Sequence, residues 1–231
     1  MKRIGLFFLT LAAAAGLASC NDSKYDGPTT SSVVTVRTLP GDYYFVMDNN
    51  RTIYPGDKTR VSTYVPEDGE RAVIYLSLLE TPAEGYDFNA AIYAVGRITS
   101  ASVEVIGTKE ELEELKDDPT VVLKGQLVGD WINLIVRYAA TSTDPEKHKF
   151  RLVVNQTEES SDVRDDYLKL ELYHDADGEV AGIYYDRYLS FNTNAIRDLL
   201  ADKEGVVITF HDGMQDQKVE IERTAINAQS L

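Results

Sequence analysis

The 231-residue chain has one cysteine, Cys20, and therefore cannot close an internal disulfide. With no second thiol and only three histidines, His148, His174 and His211, it offers no Cys-based zinc set and no His-x-x-x-His pair. Basic residues are scarce as well: 23 Lys and Arg face 38 Asp and Glu, a formal charge of −15. Such a surface repels a phosphate backbone and has no basic patch to offset that, so nucleic acid is not expected as a partner. The sequence also lacks a Gly-x-Ser-x-Gly elbow, a phosphate loop and a dinucleotide fingerprint. Acidic pairs such as Asp165-Asp166 are too common here to mark a glycoside-cleaving pair. The aspartates of Asp175-Ala176-Asp177-Gly178-Glu179 begin like a calcium loop, but the later ligand positions fail, and the stretch predicts a turn. No catalytic residue, metal ligand or cofactor site is predicted, and the chain is not expected to be an enzyme.

The longest apolar run is at the start. Lys2 and Arg3 precede LFFLTLAAAAGLA (6–18), which is shorter than the roughly twenty residues a spanning helix needs. A basic start, a short apolar core and a small-residue exit form a secretory signal over residues 1–19. The exit Leu17-Ala18-Ser19-Cys20 resembles a bacterial lipobox, which makes Cys20 the acylated first residue of the mature chain. One acyl chain binds a bilayer marginally and two or more anchor stably, at about 0.8 kcal/mol per buried methylene. The expected partner of this end is thus a membrane. Without residues 1–19 the chain has 21 basic and 38 acidic residues, a formal charge of −17. The body is therefore kept off anionic headgroups while the lipid holds it at the cell envelope.

Residues 20–32 are polar and rich in Gly, Pro, Ser and Thr, and predict a flexible tether. Short apolar-alternating runs follow, broken by Pro-Gly-Asp and Asp-Asn-Asn: 33–39, 43–47, 51–54, 71–79, 88–98 and 102–106. In 88–98 both faces are apolar, as in a small closed barrel, and Gly96 marks a bend. The predicted unit is an OB-like barrel over 33–106. Residues 107–118 predict a bridging helix, with Thr108 capping it, Glu111 completing a capping box and Pro119 ending it. Runs at 120–128, 131–138, 149–154, 167–174, 183–191, 206–211 and 218–223, with a short helix within 192–202, predict an antiparallel β-sandwich over 119–231. The fold class is all-β: a small OB-like barrel, then an antiparallel sandwich, joined by a short helix.

Three tyrosines, Tyr184, Tyr185 and Tyr188, fall within one strand. Exposed, their rings would offer flat faces to a sugar or a protein; packing within the core and across strands is the alternative. His174 is expected to end a strand, and His148 and His211 to lie in loops.

Several stretches in this order, namely the lipobox cysteine, GDYYFVMDNNRTIYP, VPEDGERAVIYLSLL, EGYDF, TKEELEELKDDP, GDWINLIVRY and YLKLELYHDADG, resemble the NigD-like lipoproteins of Bacteroidetes across nearly the whole mature chain. The resemblance implies an N-terminal OB domain, a C-terminal β-sandwich and an outer-membrane lipid anchor. It also implies an accessory or bacteriocin-immunity role and transfers no catalytic set. An acidic stretch after the cysteine resembles a surface-export signal in such lipoproteins. Here Asp22 and Asp26 are sparse, so the periplasmic and surface faces both stay open. The functional expectation is a lipid-anchored, non-catalytic binding module whose partner is an envelope protein or a glycan.

Overall fold

The computed structural model describes residues 27–141, 147–157, 165–179 and 182–225. The signal segment, Cys20 and the first part of the tether lie outside them. Among the described residues no helix is long and apolar enough to cross a membrane.

Five strands form the first unit: β1 (Thr30–Leu39), β2 (Asp42–Met47), β3 (Thr52–Asp57), β4 (Arg71–Leu78) and β5 (Phe88–Arg97). They close in the order β1-β2-β3-β5-β4, with β3 and β5 parallel and the other pairs antiparallel. β1 starts at Thr30, so the last residues assigned to the tether are already paired with β4. Period-2 alternation turns Val34, Val36, Phe45, Ile53, Ala72, Ile74, Leu76, Ala90 and Ile92 into the barrel core. On β5 the alternation then breaks. Tyr75 pairs with Ala94 and Leu76 with Ile92, which leaves Tyr93 as an extra residue in a bulge. After it the inward parity switches: Ala94 is exposed and Val95 packs on the core. This bulge explains why both faces of the segment read as apolar. Gly96 lies opposite Val73, beyond the bulge.

The chain leaves the barrel at Ile98, whose amide donates to the Arg71 carbonyl. β6 (Thr99–Ser102) and β7 (Glu104–Ile106) follow at once, and each joins a different sheet of the second unit. The run 102–106, predicted as the last barrel strand, is thus corrected to the sandwich, where β7 pairs with a later strand. Local alternation marks a strand but does not choose its partner. Next comes α1 (Lys109–Glu113), capped as expected: Thr108 Oγ1 accepts from the Glu111 amide and donates to the Glu111 carboxylate. It stops well before Pro119, and Asp118 is instead tied to the end of β11, its amide donating to the His174 carbonyl and its carboxylate accepting from the Ala176 amide.

The remaining strands are β8 (Val121–Val128), β9 (Trp131–Ala140), β10 (Lys149–Asn155), β11 (Tyr167–Asp175), β12 (Ile183–Asn192), β13 (Gly205–His211) and β14 (Asp216–Glu222), with α2 (Arg197–Leu200) before β13. One sheet runs β14-β13-β11-β10-β7 and the other β6-β12-β9-β8. Both are mixed. β11 pairs with β13, β10 with β7 and β12 with β6 in parallel, since the chain crosses to the opposite sheet between the members of each pair. The tight turn before β12 uses Asp177 and Gly178, both at positive φ (50° and 81°), as an Asp-Gly pair allows. Between the sheets lie Leu127, Ile132, Leu134, Val136, Leu152, Leu170, Leu172, Phe191, Val206 and Ile208.

Barrel and sandwich meet at Arg71, the first residue of β4, whose side chain is fully buried. Its fork grips Asp48 twice, Nη1 to Oδ1 at 2.6 Å and Nη2 to Oδ2 at 2.9 Å. The other donors reach Thr35 Oγ1 (2.9 Å), Asn133 Oδ1 (3.0 Å) and Ser190 Oγ (3.0 Å). Every N–H of the guanidinium therefore has an acceptor, the condition under which a buried charge is tolerated. Trp131 covers its plane at 4.1 Å. Asp48 and Thr35 belong to the barrel, and Asn133, Ser190 and Trp131 to the sandwich, so one side chain fixes how the units sit.

Candidate functional site

β12 puts Tyr184 and Tyr188 on the outer face of its sheet and Tyr185 on the inner one, as strand parity requires. Tyr184 is 75% exposed and Tyr188 44%. Tyr185 is half-buried against the core, its ring 6.5 Å from Tyr138. The three predicted residues thus divide: two form a surface, and the third is packing. Between the exposed pair, Asp186 receives both arms of Arg137 at 2.7 and 2.8 Å. The guanidinium holds the Asp186 carboxyl below its ordinary range. Tyr188 lies opposite Ile135, which lies opposite Lys124 on β8. Val121, opposite Arg137, and Leu123, the extra residue of a bulge on β8, are also exposed, so the sheet carries an aromatic and apolar face with one exposed ion pair; Ile183, exposed at the start of β12, has the parity of Tyr185.

A second surface lies at one end of the barrel. Asp42 opens β2 and takes Lys58 Nζ at 2.5 Å on Oδ1 and the Tyr54 hydroxyl at 3.1 Å on Oδ2. The hydrogen bond from Lys58 is the main cause holding its carboxyl low. Lys58 also sits 4.8 Å above the Tyr43 ring. Tyr54 stacks on Tyr86 at 5.1 Å, and Tyr86 meets Tyr44 at 5.4 Å. Beside Asp42 opens a cleft of about 380 Å³ walled by Leu39, Tyr43, Val61, Tyr64 and Pro66. The Tyr64 hydroxyl donates to Glu70, and burial together with that carboxylate raises its pKa. Sequence reading missed this surface, because its tyrosines come from β2, β3 and the loops before β4 and β5 and converge only when the barrel closes.

His174 lies at the end of β11 and His148 in the loop before β10, as expected, while His211 ends β13 rather than lying in a loop. His148 and His174 meet in the sandwich interior, Nδ1 to Nε2 at 3.0 Å, beside Phe150 and Tyr138. His174 Nδ1 lies 3.2 Å from the Pro119 carbonyl, which only accepts. In the neutral pair His174 therefore carries its proton on Nδ1, and His148 donates from its own Nδ1. Burial pushes the pKa of His174 down. His148 Nε2 is left 3.5 Å from Glu179 without a hydrogen bond. Lys147, then the Thr141 amide, hold the Glu179 carboxyl down to about 2. His211 ends β13 opposite Asp216, and with Asp117 they offer ligand atoms within 4.8 Å of one another. Both carboxylates of that trio are exposed.

Comparison with known proteins matches both units to family models. Residues 33–98 match the NigD-like N-terminal OB domain and residues 103–223 the NigD-like C-terminal β-sandwich domain. Among curated proteins there is no match. A solved protein of unknown function from Bacteroides vulgatus shares the fold at TM-score 0.69 and 18% identity, over 85% of this chain and 91% of its own. A NigD-like immunity protein from Bacteroides caccae does so at TM-score 0.59 and 20% identity, over 83% and 90%. A protein described as a candidate lipoprotein from Bacteroides fragilis does so at 0.63 and 18%, over 85% and 98%. Each likeness shows the fold. With family models covering both the barrel and the sandwich, the chain belongs to the NigD-like family.

Proposed function

We propose that the protein is a lipid-anchored, non-catalytic binding module of the cell envelope, held through Cys20 and engaging a protein partner through the outer face of β12, β9 and β8. One observation carries this: Tyr184 and Tyr188 stand exposed with the same strand parity on β12, on a sheet whose β8 edge exposes Val121 and Leu123. Tyrosine and exposed aliphatic groups grouped in this way are the usual material of interface centres. The acidic balance of the chain selects a partner whose rim is neutral or basic. The outer membrane is the bilayer proposed for the anchor, in line with the family.

The test is cross-linking in intact cells followed by capture of the detergent-solubilised protein. Wild type is expected to recover a stoichiometric envelope protein, and the double variant Tyr184→Ser/Tyr188→Ser to lose it while folding normally. Recovery of no partner after cross-linking counts against the proposal.

An immunity or accessory role is the second reading. It is favoured by family membership and by the immunity protein of Bacteroides caccae with which the chain shares its fold. A deletion strain should then gain sensitivity to a bacteriocin from neighbouring cells. Unchanged sensitivity removes this role without touching the binding face.

A further inference from the structure

The barrel-end cleft and the tyrosine strip beside it form one surface joined at Asp42. On one side Tyr54, Tyr86 and Tyr44 run ring to ring. On the other lies the cleft of about 380 Å³, lined by Tyr43 and Tyr64, whose rings meet edge to face at 5.7 Å, a volume within the roughly 300–1,000 Å³ of ordinary small-molecule sites. Only two charged side chains line that cleft, Asp42 and Lys58, and they pair with each other at 2.5 Å. The cleft is therefore neutral as a whole. A phosphate or carboxylate ligand would lose Lys58 to Asp42 and meet the acidic surface of the rest of the chain. A cationic ligand would have to compete with Lys58. A purely apolar one would strip water from the ion pair and return nothing to it.

What fits is a neutral molecule with hydroxyls at its edge and C–H groups on its faces. Lys58 has three N–H groups and spends one on Asp42. Asp42 keeps one acceptor site, on Oδ2, after taking Lys58 and the Tyr43 amide on Oδ1 and the Tyr54 hydroxyl on Oδ2. Donor and acceptor thus stand side by side, as vicinal sugar hydroxyls require, and the rings supply flat apolar faces. Tyr64 is held in place by the hydroxyl it donates to Glu70, and Tyr54 by the one it donates to Asp42, so the aromatic walls are fixed before a ligand arrives. We propose that this end of the barrel binds a neutral hexopyranose unit of a glycan. Its hydroxyls meet Asp42 and Lys58 in the cleft, and the adjoining sugar lies along Tyr54 and Tyr86. The site is separate from the Tyr184–Tyr188 face and stands whether or not that face binds a protein.

Saturation-transfer NMR tests it on the full mature chain, in a detergent with no sugar headgroup. The probes are the methyl glycosides of glucose, galactose, mannose and N-acetylglucosamine, and their β-linked disaccharides. At least one probe should receive saturation at its ring C–H protons, with saturable growth and a stronger response for the disaccharide. Lys58→Met and Asp42→Asn should each weaken that binding by about ten-fold, the effect of one lost charge-assisted hydrogen bond. Asp42→Asn keeps an oxygen for the Tyr43 amide, and a native circular dichroism spectrum identifies it as folded. Tyr184→Ser/Tyr188→Ser should bind the sugar as wild type does. Absence of transfer to every probe overturns the proposal. So does transfer that survives both cleft variants, or binding of peptides at the cleft with none of sugars.

Discussion

Arg71 Nε donates to Ser190 Oγ at 3.0 Å, across 119 residues of chain and from one folding unit to the other. Ser190 in turn donates to Asn133 Oδ1 at 2.6 Å, and Asn133 Nδ2 to Asp48 at 2.7 Å, so the polar groups of the seam satisfy one another. Removing the guanidinium leaves Asp48 buried without its counter-charge. Arg71→Ala should cost about 3–5 kcal/mol. Arg71→Lys should not recover it, since an ammonium cannot supply the planar fork. Ser190→Ala strands one donor and should cost about 1–3 kcal/mol. Urea unfolding of the three variants measures this. A loss under about 1 kcal/mol for Arg71→Ala would mean that the seam does not couple the units.

Gly129 shows the same seam from the backbone. It has φ 55°, and a Cβ placed there would lie 2.4 Å from the Asp48 carbonyl oxygen. Gly129→Ala should therefore destabilise by more than the roughly 1 kcal/mol of a plain left-handed position. It should do so less in Arg71→Ala, where the contact is already loosened. A double-mutant cycle reads that coupling.

The fold was largely legible because strand alternation is a local signal. Ala72, Ile74 and Leu76 alternate in sequence and all face the barrel core. Partnership was not legible: 99–106 reads as strand in either unit, and only the folded chain sends β6 and β7 to opposite sheets. Arg71 was invisible for a related reason. A charged residue at a strand start reads as exposed, and its acceptors Asp48, Asn133 and Ser190 are scattered along the chain. The exposed tyrosines were half legible. Parity separated Tyr185 from Tyr184 and Tyr188, but sequence could not say which side faced the core.

The proposed lipid anchor makes the simplest prediction. Cys20→Ser removes the thiol that acylation requires, and the residual apolar segment is removed or too short to span. The variant should leave the membrane pellet and appear in the soluble envelope fraction. Retention in the pellet at the wild-type level would contradict anchoring through Cys20.

The two faces of β12 predict opposite outcomes for neighbouring substitutions. Tyr184→Ser and Tyr188→Ser remove exposed rings and should change stability by under about 0.5 kcal/mol. Tyr185→Ser opens the inner packing beside Tyr138 and should cost roughly 1–3 kcal/mol. Thermal denaturation separates them. Equal losses at 184 and 185 would place both rings in the core.

The buried His174 imidazole gives the fold a pH dependence above the carboxylate range. Burial lowers the pKa of His174 from 6.5, so the folded chain holds it neutral where the unfolded chain takes up a proton. With more protons on the unfolded state, stability rises with pH through this window. It is fully present above the unfolded value of 6.5 and is lost progressively as pH falls below it towards the depressed folded value. Urea midpoints should therefore drop between pH 7.5 and 5.5, before most carboxylates titrate. His174→Gln keeps an amide donor for the Pro119 carbonyl but cannot be protonated, so its midpoint should be lower at pH 7.5 and flatter across the window. A wild-type slope that survives in this variant would assign the proton uptake to a different group.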